Sequence, residues 1–226
     1  MCFTETQSYI NTILLLFGAY YTRKKIKLSL LLLFLSTKDL IQGLSYRYID
    51  NKKILNILGK ISWIHISLQP FMVNLFVSHF DTNKNYQTYW NLIYILSILY
   101  AILNILTLKE FNIDNDPLCN LNKSSDFCTR ETTLKIGKYH IKYKFARDND
   151  KFMFWMIYLL VMLLPAFFTN ASPIILLWAL FIIIIRIITF MFKLHIGEYA
   201  AIWCFLSIIF FLPIAIFEKK IIKFLK

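Results

Sequence analysis

Seven runs of mostly apolar residues, at about 7–22, 28–46, 54–79, 88–108, 152–169, 173–192 and 196–217, make up most of this 226-residue chain. A helix rises about 1.5 Å per residue and a bilayer core is about 30 Å thick, so roughly 17–25 such residues can cross it. Lipid offers no partner to a bare backbone N–H or C=O, so each run is expected to be a helix. Only 17% of the residues are charged, while 58% are apolar or aromatic. A soluble domain carries about 25% charge to keep its surface wetted. The expected fold is an all-α membrane protein with one domain over residues 1–226. It comprises seven transmembrane helices and a small β-hairpin in the loop between spans four and five.

The first run does not read as a cleaved signal peptide. Met1 to Ser8 contains Glu5 and no basic residue, and the cluster Arg23, Lys24, Lys25, Lys27 follows the run instead of preceding it. Basic residues favour the cytoplasmic side, which puts the N-terminus outside or in a lumen and the first loop in the cytoplasm. Seven spans then bring the C-terminus, with Lys219, Lys220, Lys223 and Lys226, to the cytoplasm as well. Arg47, Lys52 and Lys53 in the second loop pull the other way. The localisation expected is an integral, multi-pass one, in a host or viral internal membrane.

Residues 109–151 form one long polar loop. Within it, Leu134 to Phe145 alternates apolar and polar residues around Gly137-Lys138, a hairpin pattern with a tight glycine turn, placed at 132–146. Cys119 and Cys128 are candidates for a disulfide if the loop faces an oxidising compartment, and free thiols are the alternative. Asn122 opens an Asn-Lys-Ser sequon and is a candidate for glycosylation.

The net charge is +12. Its basic residues sit mostly in the gaps between apolar runs, where they contact headgroups, and no basic helix face or stacking motif accompanies them. The partner expected is therefore the lipid bilayer and not nucleic acid; oligomeric state is open.

Polar residues inside the spans carry the functional candidates, because an ionisable group there costs about 2.5–3.5 kcal/mol on insertion scales. Span two holds Lys38, with Asp39, Gln42 and Tyr46 at i, i+3 and i+7 on one helical face. Span three holds Ser62, His65 and Gln69 in the same spacing, followed by Pro70. Arg186 lies in span six, and His195 and Glu198 open span seven. The candidate polar site is Asp39, Gln42, His65, Gln69, Arg186, His195 and Glu198. The bland alternatives are snorkelling for Arg186, interfacial placement for His195 and Glu198, and structural interhelical hydrogen bonds for His65 and Gln69. No cofactor is expected. Zinc is the metal that Asp39, His65, His195 and Glu198 would suit, but no HxxxH or HExxH spacing supports it. Walker, GxSxG and GxGxxG motifs are absent, as is a Schiff-base lysine in residues 199–217.

The strings Met1-Cys2-Phe3-Thr4-Glu5, His65-Ile-Ser-Leu-Gln69-Pro70-Phe71, Gly137-Lys-Tyr-His140-Ile and Glu198-Tyr-Ala-Ala-Ile-Trp203-Cys204 occur in that order along the chain. Together they resemble an uncharacterised family of seven-span membrane proteins found in giant DNA viruses, algae and some bacteria. Asp39 stands where that family often has Glu, and Tyr139 and Tyr199 stand where Trp is common. The resemblance implies a topology and a polar site, without a reaction. Three functions stay open: a membrane component binding a ligand, lipid or partner, which ranks first; a channel or transporter using the polar set; and an intramembrane lipid-modifying enzyme.

Overall fold

The computed structural model describes residues 4–81, 83–106, 133–136, 141–144, 151–191 and 208–225. The chain is mostly helical, and each helix begins or ends for a local reason. Helix α1 (Glu5–Tyr21) is opened by a capping box: Thr4 Oγ1 accepts from the Gln7 N–H, and the Thr4 N–H donates to Gln7 Oε1, both at 3.3 Å. Glu5 in the first turn complements the helix dipole. Helix α2 (Ile26–Arg47) ends on a basic residue, and α3 (Lys52–Val77) is capped by Asn51, whose side chain accepts from the Ile54 N–H at 3.2 Å. Pro70 lies inside α3 and withdraws one backbone donor there. A short 3-10 turn, Lys84–Tyr86, leads into α4 (Gln87–Leu106).

Two strands follow, β1 (Thr133–Ile136) and β2 (Ile141–Lys144). They pair antiparallel with Thr133 opposite Lys144 and Ile136 opposite Ile141. Leu134 and Ile141 are buried, and the strands pack against α3 and α2. The Gly137-Lys138 turn lies outside the described residues, as do Cys119, Cys128, Asn122 and His140.

Helix α5 (Lys151–Phe167) and α6 (Ser172–Met191) are joined by a tight turn in which Thr169 Oγ1 accepts from the Ala171 N–H. Residues 208–216 form α7, and α8 (Glu218–Leu225) follows after one turn residue. Helix α3 is central: it contacts α2, α4 and α5. Its Phe76 also meets α7, edge to face with Phe211 at 5.1 Å, and Phe211 in turn lies 4.4 Å from Trp178 of α6. Interhelical hydrogen bonds add direction to this packing. Trp63 Nε1 donates to the Asn104 carbonyl at 2.9 Å, and Asn74 Nδ2 donates to Ser97 Oγ and to the Val161 carbonyl.

Against the seven spans expected from hydropathy, two of the described helices, α2 and α4, are long and apolar enough to cross a membrane. The others fall short for identifiable reasons. Helix α1 has 17 residues and includes Ser8, Asn11 and Thr12, and α3 carries Lys52, Lys53 and Lys60 among many polar residues. In α5 and α6 the apolar stretches, Met156–Phe167 and Ser172–Ile187, are shorter.

Candidate functional site: a buried polar seam

The first half of α1 places Ser8, Asn11, Thr12 and Leu15 at i, i+3, i+4 and i+7, all buried. This stripe faces α2, its main packing partner. Thr12 Oγ1 donates within its own helix to the Ser8 carbonyl at 2.9 Å and reaches the Ser36 carbonyl of α2 at 3.5 Å. Close approach is possible because α2 has Gly43 where Tyr9 crosses: a Cβ there would lie 2.8 Å from the tyrosine ring.

Asp39 is 1% exposed. Asn11 of α1 and its own neighbour Lys38 are the polar side chains that bear on its carboxyl group, yet its Oδ1 accepts no hydrogen bond among the described residues. Lys38 is equally buried, and its charge also bears on His65. One turn further along α2, Gln42 is fully buried with neither Oε1 nor Nε2 partnered among the described residues.

His65 of α3 is held from α2. Its ring stacks on Phe34 with centroids 3.7 Å apart, and its Nε2 lies 2.7 Å from the Phe34 carbonyl. A carbonyl only accepts, so Nε2 carries the proton, leaving Nδ1 as a second nitrogen without a partner among the described residues. Ser62 and Ser67 of α3 have unpartnered hydroxyls as well. Gln69 differs, because Tyr158 of α5 donates to its Oε1.

Of the seven residues expected at the site, Asp39 and Gln42 are buried on α2, with Asn11 of α1 bearing on Asp39, and His65 of α3 is held by Phe34 of α2, while Lys38 bears on both Asp39 and His65. Gln69 is buried on α3 and turned to α5. Arg186 is exposed on α6. His195 and Glu198 lie outside the described residues. Among the described residues no three His, Cys, Asp or Glu side chains gather around a metal position, so the zinc set would depend on His195 and Glu198. Reading α2 and α3 alone overlooks the α1 side of the seam, Ser8 and Asn11, although their helical spacing is visible in the sequence.

Such unpartnered donors and acceptors are rare in a folded interior, where nine-tenths or more of buried polar groups are hydrogen-bonded. Buried polar atoms in this state are satisfied by ordered water where there is room for it.

A second polar junction lies where the α1–α2 turn, the end of α3 and α8 meet. Glu218 is buried; its carboxylate accepts from Lys25 Nζ through Oε2 and from His79 Nε2 through Oε1, the latter at 2.8 Å. His79 stands two residues beyond α3. Burial, and then Lys219, push the Lys25 ammonium below its ordinary value, with the Glu218 carboxylate as the counter-charge in contact with it.

A family model described as a family of unknown function, DUF5765, matches residues 10–223. No curated protein and no solved structure matches the chain.

Proposed function

The chain belongs to that family of unknown function, and on this premise we propose that it is a seven-span integral membrane protein that binds a small polar ligand in the seam between α1, α2 and α3. The observation carrying the membrane reading is α4. It is apolar enough to cross a bilayer, but only 22% of its apolar stretch is buried inside the protein. The core helix of a soluble protein would be mostly covered. Leu92, Ile95, Leu99 and Leu103 are each more than half exposed on α4, while Asp39, Lys38 and Gln42 are buried. That inversion of polarity suits lipid as the outer solvent.

The N-terminus faces the outside or a lumen and the C-terminus the cytoplasm, following Arg23, Lys24, Lys25 and the C-terminal lysines. An internal or viral membrane is the setting of this reading. Binding is favoured over transport or catalysis because Asp39, Lys38 and Gln42 are closed off from the surface.

Two measurements test this reading. After alkaline carbonate washing, the tagged full chain stays with the membrane pellet, with N- and C-terminal tags protected on opposite sides; release into the supernatant overturns the membrane reading. Native mass spectrometry of the purified protein then shows a bound small molecule or retained waters that Gln42→Leu displaces. An identical mass for both proteins, after subtraction of the substitution, overturns the ligand reading.

A further inference from the structure

The α1–α2 turn and the start of α8 enclose a groove of about 520 Å³, within the size range of small-molecule sites. Its walls carry two kinds of side chain. Arg23, Lys24, Lys219 and Lys220 are basic, and among the described residues none of them meets a carboxylate. Phe17, Tyr20 and Phe217 are aromatic and more than half exposed. The two kinds are interleaved: the Arg23 guanidinium lies 4.0 Å from the Tyr20 ring centroid, and Lys220 Nζ lies 5.5 Å from that of Phe217.

One carboxylate, Glu218, is among the lining residues. It is turned inward, with one oxygen occupied by Lys25 and the other by His79. The acid therefore neutralises Lys25 and leaves the other four cations facing the groove. Four uncompensated cations in one concavity repel each other unless an anion lies between them.

We propose that this groove binds a phosphate-bearing anion, supplied by the headgroup of an anionic phospholipid. Resting on the membrane reading above, the groove lies at the end of the first two spans. There, exposed aromatic rings sit at headgroup level and basic residues contact lipid phosphate. The guanidinium of Arg23 offers a planar pair of donors to phosphate oxygens, while the lysines act as point charges around it. The apolar faces of Phe17 and Phe217 would lie beside the glycerol and acyl chains.

The test uses the full chain in neutral detergent, titrated with phosphatidylglycerol or phosphatidylcholine and read by native mass spectrometry. A parallel titration uses inorganic phosphate alone. Phosphatidylglycerol is expected to bind roughly tenfold or more tightly than phosphatidylcholine, and Arg23→Ala/Lys219→Ala/Lys220→Ala to remove that preference. The charge-keeping Lys219→Arg/Lys220→Arg variant retains it. Millimolar phosphate failing to displace the lipid assigns the site to headgroups. Phosphate binding as tightly as the lipid, and lost in the same triple variant, keeps the anion site but assigns it to free phosphate. Equal binding of both lipids, or an unchanged preference in the triple variant with unaltered helix content, overturns the proposal. Carbonate extraction of the same variant keeps the two questions apart: a protein that remains in the pellet without lipid preference refutes the groove alone.

Discussion

The imidazole of His79, just past α3, donates from Nε2 to Oε1 of Glu218, 139 residues later and at the first position of α8, across 2.8 Å. With Lys25 on the other oxygen, this one carboxylate joins the α1–α2 turn, the end of α3 and the C-terminal helix.

Glu218→Gln keeps the shape and removes the charge. Lys25 loses its counter-charge and one charge-assisted hydrogen bond becomes neutral, at a cost of about 1–3 kcal/mol. The expected result is a lower melting temperature in detergent and earlier proteolysis at residues 217–225. An unchanged cleavage pattern would show that α8 is held by its apolar face alone.

Gly43→Ala adds a methyl group that meets the Tyr9 ring at 2.8 Å. Alanine favours a helix by about 1 kcal/mol over glycine, but overpacking commonly costs about 1–3 kcal/mol. Net destabilisation is expected, relieved by adding Tyr9→Leu. A Gly43→Ala protein that melts higher than the parent would mean that α1 shifts without strain.

Asn74→Leu removes the two hydrogen bonds that tie α3 to Ser97 of α4 and Val161 of α5. Interhelical bonds of this kind contribute about 0.6 kcal/mol each on average within a membrane and up to about 1.7. A loss of about 1–2 kcal/mol is expected in chemical unfolding. A loss below about 0.3 kcal/mol would indicate that packing of Trp63 and Phe76 positions α3 without help.

Much of the local structure is legible in order along the chain. Hydropathy locates α1 to α6 to within a few residues, since a run of apolar side chains is a property of neighbours in sequence. Helical spacing likewise places Asp39 and Gln42 on one face of α2. It does not tell whether Lys38, adjacent to Asp39, points outward; in the fold it is as buried as Asp39. Nor does it single out Glu218, which reads as one charge in a basic tail until α8 folds back beside His79.

Sequence alone determined where the helices run, which residues are costly to place in an apolar medium, and that the chain carries less charge than an ordinary soluble domain. These are sums over adjacent residues. Only the tertiary structure decided which polar groups meet: Asn11 with Asp39, Phe34 with His65, Lys25 and His79 with Glu218. Their partners lie tens to hundreds of residues away, brought together by helix packing that no local pattern encodes. The same packing left α4 with its apolar side chains outward, which turned a hydropathy argument into a statement about the surface.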